Sequence, residues 1–306
     1  MPSPEVDSNH CWICGGATIR RFRASTIRQQ VDVTSVRITD SNYGQTAALS
    51  ECRACGFVFA NPVPHPDVLD LYRGMEDQPY QDTSFARRAQ MRTLLDLMST
   101  HRPRGRTLLD IGAGTGFMVA EARARGLDAQ GIEPSRWCVE RAAAVNRVDL
   151  LCGTVTEQID RLGRYDLVTL IDVVEHTPDP LGMIREAAAL LSPGGALLIV
   201  TPDIGSVAAR LTGRWWWHHR VAHVGYFNRR SMRRAMREAG LTLEADTYAT
   251  WRFPASYLAE RLVRYVPVFP FSTILRRLAR SPRLQRYEVG VNLRDSRAFI
   301  ASRGAA

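Results

Sequence analysis

The chain contains no lysine: all 40 of its basic residues are arginine. So uniform a replacement looks like codon bias in a GC-rich genome, and the arginine positions alone therefore say little about function. A long apolar run is missing too, since no stretch approaches the ~18 residues that a membrane-spanning helix needs. Residues 1–10 are polar and carry no apolar segment of the kind found in a secretory leader. These absences point to a cytoplasmic protein. What is present is ordinary for a globular one: 306 residues, 45% of them hydrophobic, are enough for one large α/β domain and a small accessory one. The net charge of +9 implies some affinity for anions, whether phosphate, phospholipid head groups or nucleic acid. Most of the arginines are nevertheless expected on solvated faces. In 228–239, Met232, Ala235, Met236 and Ala239 fall at core spacing, while Arg229, Arg230, Arg233, Arg234 and Arg237 fill the other faces.

Four of the six cysteines form two close pairs, Cys11-x-x-Cys14 and Cys52-x-x-Cys55, separated by 37 residues. Each second cysteine is followed by glycine, Gly15 and Gly56, which suits a metal knuckle in which the chain turns sharply and offers backbone N–H to a thiolate. Four thiolates around one ion make a closed, structural zinc site with no position left for chemistry. A reducing compartment disfavours disulfides, and a redox pair needs no second pair. Cys138 and Cys152 stand alone and read as small buried core residues. Between the knuckles, 27–39 alternates well enough for one or two strands, and 57–59, after the second knuckle, suggests another. A module this small rarely has a sufficient core, so the metal would staple it.

Residues 107–116 read Thr-Leu-Leu-Asp-Ile-Gly-Ala-Gly-Thr-Gly, a short apolar strand running through Asp110 into Gly112, Gly114 and Gly116. An amphipathic stretch follows at 117–125 and stops at Gly126. Glycine has no Cβ to hold a ligand off and adopts positive φ readily, so the loop lets backbone come close to a ligand. A dinucleotide fingerprint would place its third glycine one position later, where Phe117 stands, and this spacing disfavours NAD. Asp110 would repel a pyrophosphate and better suits a ligand with a cationic amino group. Glu133 lies 21 positions after Gly112, at the end of the expected second strand, where a carboxylate takes both ribose hydroxyls.

This Asp-x-Gly-x-Gly-x-Gly loop with its downstream acid resembles the class I S-adenosylmethionine-dependent methyltransferases of the type 11, 12 and 23 branches. The resemblance covers roughly residues 105–245. The stretch at 165–172 looks like their fourth strand, followed by Val173-Val174-Glu175-His176 and Pro178-Asp179-Pro180. Leu191-Ser192-Pro193-Gly194-Gly195 looks like the turn into the fifth. His223-Val224-Gly225-Tyr226-Phe227 and Ala239-Gly240-Leu241 complete a pattern common in the branch that modifies small molecules and saccharides. The resemblance implies a Rossmann-like, doubly wound α/β sheet of seven strands preceded by the zinc-ribbon-like module. It also implies S-adenosylmethionine as cofactor, beside a structural zinc held by Cys11, Cys14, Cys52 and Cys55. Asp110 is then expected to face the methionyl part, with Gly112, Gly114 and Gly116 as the floor and Glu133 on the ribose. Thr154 stands where the family often has an acid contacting adenine, a departure that leaves the adenine contact to a hydroxyl or backbone group. Asp172 is expected to orient the methionine amine or the acceptor. His176 and His223 lie in loops that, by resemblance, face the methyl end, where each is a candidate general base or a wall of the pocket.

The organisation expected is a zinc-ribbon-like domain at 1–62, a helical connector at 63–100 and a methyltransferase domain at 101–303. In the connector, Met91, Leu94, Leu95 and Met98 form one buried face. Tyr72 and Tyr80 lie between the modules, more as packing residues than as pocket walls. The last two strands are expected at 241–251 and 289–302, with a helical insertion at about 253–287. The insertion holds two short basic amphipathic helices, at 257–266 and 272–280, read as a lid; contact with the inner face of the membrane is the alternative. The Trp215-Trp216-Trp217-His218-His219 run is open between an interfacial anchor and a buried wall. The function expected is O-methylation of a small molecule, saccharide or lipid-linked glycan. One rival is an rRNA or tRNA base methyltransferase using the ribbon to bind RNA. Against it, no Asn/Asp-Pro-Pro-aromatic loop follows the fourth strand, so nucleic acid is disfavoured as a partner. A second rival is a non-catalytic cofactor-binding scaffold, against which the intact Asp110, Gly112, Gly114 and Glu133 argue.

Overall fold

The structure, a computed structural model, describes residues 9–28, 30–37, 43–63, 68–78, 84–102, 104–265, 273, 276–277 and 287–303. Strands β1 (Ile19–Arg23), β2 (Leu49–Cys52) and β3 (Val58–Ala60) run antiparallel in that order beside the two cysteine knuckles. Glycines at positive φ turn each knuckle, Gly15 at +66° and Gly56 at +77°. Their N–H groups donate to the carbonyls of Cys11 and Cys52, and it is the Ile13 N–H that reaches a sulfur, Cys11 Sγ at 3.4 Å. Among the described residues of 27–39 no strand forms. Within that stretch Asp32 caps a 3₁₀ helix, Val33–Val36, by accepting from the N–H groups of Thr34 and Ser35, a local bond that competes with strand pairing. The first strand is instead β1, whose exposed arginines hide its period.

The main sheet begins with β4 (Thr107–Ile111), β5 (Asp128–Glu133) and β6 (Leu151–Cys152), followed by β7 (Tyr165–Ile171) and β8 (Leu191–Pro202). All five are parallel, and the inner ones are near-continuous apolar runs because helices cover both faces. Between β8 and the next long strand, the short β9 (Gly225–Tyr226) pairs antiparallel with β3, so a segment far along the chain completes the sheet of the cysteine module. Strands β10 (Leu241–Tyr248), β11 (Trp251–Pro254), β12 (Glu288–Val291) and β13 (Ser296–Arg303) follow. β13 inserts antiparallel between β8 and β10, giving a seven-stranded mixed sheet in the order β10-β13-β8-β7-β4-β5-β6. This is a Rossmann-like, doubly wound sheet, whose order reverses between β4 and β7.

The last two sheet strands are shorter than 241–251 and 289–302. The intervening residues form a separate ribbon in which β11 pairs antiparallel with β12, at the base of the insertion. One insertion helix, Ala255–Tyr265, follows β11; of the second, at 272–280, only 273 and 276–277 are among the described residues, and Tyr80 lies outside them. No described helix is long and apolar enough to cross a membrane. The helix Ser84–His101 buries Met91, Leu94, Leu95 and Met98 against Leu108, Phe117 and Met118. In Arg229–Glu238 the Asn228 side chain caps the first turn, Met232, Ala235 and Met236 go inward and the arginines outward. Cys138 is buried, but Cys152 is exposed: β6 is a two-residue edge strand, and Leu151 takes its inward position. The three tryptophans part company. Trp216 is wholly buried with its Nε1–H on Asp295, Trp217 is half-buried, and Trp215 is exposed beneath the Arg214 guanidinium.

An aromatic cluster joins the cysteine module to the main core. Phe57 stacks on Phe59 at 5.9 Å, touches Trp12 at 6.1 Å and meets Phe227 at 4.8 Å between ring centroids. Phe57→Ala is therefore expected to cost about 3–5 kcal/mol in chemical denaturation while unfolding stays a single transition. A cost below about 1 kcal/mol, or a separate early transition, would show that the two parts are not coupled through this ring.

Candidate functional site

In a doubly wound sheet, ligands bind beyond the carboxyl ends of the strands where the order reverses. Here that position, between β4 and β7, opens into a cavity of about 800 Å³. Its floor is the turn after β4, where Gly112, Gly114 and Gly116 have φ of +74°, +53° and +80°. Gly112 also has no room for a side chain, because a Cβ there would stand 2.6 Å from Val173 Cγ2. The turn feeds the helix Phe117–Ala124, with Gly116 as its left-handed N-cap.

Asp110, near the end of β4, is buried and lines the cavity, and its Oδ1 accepts from the Thr169 hydroxyl at 2.6 Å. Burial raises its pKa to about 7, against the Thr169 bond that lowers it. Glu133, at the end of β5, is equally buried. Its Oε2 accepts from the Gly114 N–H at 2.8 Å and its Oε1 from the Ser135 N–H at 2.9 Å, which ties the second strand's carboxylate to the glycine turn. Burial pushes it to about 7 as well. Thr154 lines the cavity beyond β6, but its hydroxyl already accepts from the Glu157 N–H as the N-cap of Val155–Gln158.

Asp172 follows β7 with φ +53°, a left-handed conformation that a non-glycine residue rarely adopts, and its buried Oδ1 has no hydrogen-bond partner among the described residues. Burial raises its pKa to about 6, while the charges of His218, Arg87 and Arg220 pull the other way. Glu175 and His176 come next in the same turn. Glu175 was quoted in the sequence motif without a role; its Oε2 accepts from the Thr201 hydroxyl at 3.0 Å, and its backbone carbonyl accepts from the Val224 and Gly225 N–H groups. His176 and His223 meet edge to face with ring centroids 4.7 Å apart, so the two histidines are brought together from loops 46 residues apart in sequence. His176 Nδ1 lies 2.8 Å from the Ala222 carbonyl, and the Tyr72 hydroxyl is 3.2 Å from the same nitrogen. Burial lowers the His176 pKa to about 4 and takes His223 well below the usual range.

The cavity thus has a carboxylate-rich end over the glycine turn and an end closed by His176, His223 and Tyr72. Trp217, from the tryptophan run, joins Trp251, Phe253 and Tyr257, from the ribbon and the insertion, in an aromatic wall. Tyr72 belongs to this wall as well as to the packing. Thr169 had no local sequence signal, because it is recruited by a partner more than 50 residues away.

The four cysteines of the knuckles form a second cluster. Cys11 and Cys55 Sγ are 3.5 Å apart and Cys14 and Cys52 Sγ 3.6 Å, with all four within 4.8 Å of one another. These separations are too long for S–S bonds of ~2.05 Å and close to the ~3.8 Å edge expected of a tetrahedron of sulfurs bound at ~2.3 Å. The cluster fits a zinc ion.

The family model described as a methyltransferase domain matches residues 84–246, more than half of the chain. A ubiquinone biosynthesis O-methyltransferase of Erwinia tasmaniensis is 37% identical over 107 residues, 32% of this chain and 42% of that protein. Its counterpart from Vibrio parahaemolyticus is 30% identical over 103 residues, covering 32% and 44%. The match spans less than half the length of these curated relatives. Among solved structures, magnesium protoporphyrin IX methyltransferase of Synechocystis PCC 6803 with bound SAM is 16% identical, with a TM-score of 0.43 over 72% of this chain and 81% of that one. That last likeness is one of fold and too distant to carry more. The family match rests on the segment that builds the glycine turn, the buried carboxylates and the β7 loop, and by it the chain belongs to the methyltransferase-domain family.

Proposed function

We propose that the protein is an S-adenosylmethionine-dependent methyltransferase that methylates a hydroxyl oxygen on a small molecule with a large apolar or aromatic body. The observation that carries the cofactor is the set of buried carboxylates, Asp110, Glu133, Asp172 and Glu175, around one cavity. Such a site stabilises a cation strongly and repels a dinucleotide's phosphates. S-adenosylmethionine, when bound, supplies an electrophilic methyl group on a sulfonium, so the chain itself need not provide a nucleophile.

In this reading Asp110 holds the amino group and the glycine turn forms the floor. Glu133, already oriented by two backbone N–H groups, receives the ribose hydroxyls on its remaining lone pairs. Thr154 stands at the adenine end, with its hydroxyl engaged in capping, and Asp172 faces the amine or the acceptor. The aromatic wall from Trp217, Trp251, Phe253 and Tyr257 suits an apolar acceptor, and the curated relatives are named for O-methylation in ubiquinone biosynthesis. His176 and His223 stand at the acceptor end with the lone pairs that would meet its hydroxyl. Both stay neutral across the physiological range, but burial makes each a weak base, which favours an acidic hydroxyl such as a phenol. Cys11, Cys14, Cys52 and Cys55 hold zinc in a closed site that supports structure and leaves no position for chemistry.

Purified protein should bind S-adenosylmethionine in calorimetry and transfer its labelled methyl group to phenolic acceptors. Gly114→Arg should abolish binding by filling the floor at a position with φ +53°. Equal binding by the variant would remove the cofactor assignment.

Cofactor affinity should depend on pH through Asp110 and Glu133. Both pKa values lie near 7 in the folded chain, against ~4 in an unfolded one. In the absence of ligand their contribution to stability is therefore full below pH ~4 and declines as pH rises through 7. A cationic ligand reverses the preference by requiring the charged forms. Binding should release protons at pH 6 and almost none at pH 8, read as a buffer-dependent enthalpy in calorimetry. Identical heats in buffers of different ionisation enthalpy at pH 6 would refute this.

Metal analysis should find about one zinc per chain, lost when Cys52 and Cys55 become serine. Because β9 and Phe227 tie the module to the main core, that loss should lower the melting temperature of the whole protein. Metal-free protein of unchanged stability would exclude the zinc.

A further inference from the structure

The geometry points to a second metal site: Glu175, His176 and His223 hold a first-row divalent cation at the acceptor end of the cavity. Their ligand atoms all lie within 4.8 Å of one another. Donors shared by one ion at bonds of ~2.0–2.2 Å lie at most ~4.2 Å apart, so small side-chain rotations suffice.

Each of the three side chains has its other polar atom tied back, which leaves one lone pair for the shared space. Glu175 is only 1% exposed; Oε2 is engaged by Thr201, while Oε1 is buried without a partner among the described residues. His176 donates Nδ1–H to the Ala222 carbonyl, which leaves Nε2 unprotonated, with only the Tyr72 hydroxyl near it at 3.4 Å. The His223 ring bonds to the backbone carbonyl of His218, and its buried Nδ1 has no partner among the described residues. A histidine anchored by a carbonyl through one nitrogen and free at the other is the usual arrangement of a metal ligand.

A proton on Glu175 serves one histidine at a time, with the Tyr72 hydroxyl as the other donor, 3.4 Å from His176 Nε2. A dication serves all three and also meets the charge of Glu175 and of nearby Asp172, which outweighs its repulsion by Arg220. Two imidazoles and one carboxylate suit manganese, iron or zinc better than magnesium or calcium, and leave coordination positions open towards the cavity. An acceptor hydroxyl fills such a position and is made more acidic by the ion, so that it ionises to solvent without either histidine, whose lone pairs the ion takes up, acting as base. This last role rests on the methyltransferase reading; the binding of the ion does not.

The test uses the full-length protein with its zinc retained, titrated with manganese(II), the free ion being counted by its electron paramagnetic resonance signal. One tightly bound manganese per chain is expected. Glu175→Gln and His223→Ala should each weaken it at least about tenfold, with the melting temperature kept within error in both and calorimetric S-adenosylmethionine binding kept within error in His223→Ala. Should one of the two fold poorly, His176→Gln takes its place with the same expectation. No saturable manganese binding by the wild type, or equal binding by the folded variants, would overturn the proposal. Manganese binding without S-adenosylmethionine binding would uphold this site while refuting the cofactor reading, and the reverse would refute this site alone.

Discussion

Burying carboxylates is costly, and the architecture of the cavity follows from how this chain manages that cost. Asp110, Glu133 and Glu175 are met by neutral donors: the hydroxyls of Thr169 and Thr201 and the backbone N–H groups of Gly114 and Ser135. Neutral donors orient a carboxylate without cancelling its charge. The site therefore retains an unmet preference for a cation, seen in the raised pKa values of all three. Asp172 goes further, keeping one buried oxygen without a hydrogen bond at a strained φ of +53°. A fold spends stability in this way where a ligand will return it.

The glycine turn shows how the parts depend on one another. Gly112 must be glycine both for its φ of +74° and because Val173, two residues before Glu175, sits where its Cβ would be. The turn after β4 and the loop after β7 are consequently in van der Waals contact, and the Glu133 bond to the Gly114 N–H draws β5 into the same unit. The loop after β7 also carries the link to the cysteine module. The Glu175 carbonyl accepts from Val224 and Gly225, and Gly225 pairs with Phe59 in β3. The knuckles thus brace the segment that positions His223, so a metal held by the four cysteines would bear on the His223 end of the cavity without contributing a ligand to it.

What was legible in the sequence was what local spacing encodes. The glycines at 112, 114 and 116, the acid at 133 and the paired cysteines declare themselves because each function needs those residues at a short, fixed interval. The seven-stranded order was legible only through resemblance. Two kinds of feature were not. Elements decided by a local polar bond escaped the period, as when Asp32 turned part of 27–39 into a capped 3₁₀ helix. Residues recruited from a distance carried no pattern at all: Thr169 on Asp110, Thr201 on Glu175, β9 on β3. Cys152 was misjudged for a related reason, since burial on an edge strand depends on which neighbour is absent. The ribbon of β11 and β12 was read as the ends of the long strands beside it, because its residues share their composition.

The wall opposite the glycine turn is held by a different device. Asp295, just before β13, accepts from Trp216 Nε1–H at 3.1 Å and lies 3.4 Å from His218 Nε2, while its carbonyl accepts from the Asp203 N–H. Burial alone would raise its pKa, but the bonds to His218 and Trp216 prevail and hold it below the ordinary carboxylate value. This aspartate is therefore charged and satisfied, unlike Asp172 and Glu175. The contrast separates two uses of a buried acid. Asp295 is spent on structure, fastening the tryptophan run to the end of the sheet so that Trp217 lines the cavity beside the ribbon. Asp172 Oδ1 and Glu175 Oε1 are buried without a hydrogen-bond partner among the described residues. The clasp reaches them through His218, whose ring stacks on His223 with centroids 6.1 Å apart. The saturated clasp at Asp295 and the unsaturated cluster at Glu175, His176 and His223 are in that sense two halves of one arrangement.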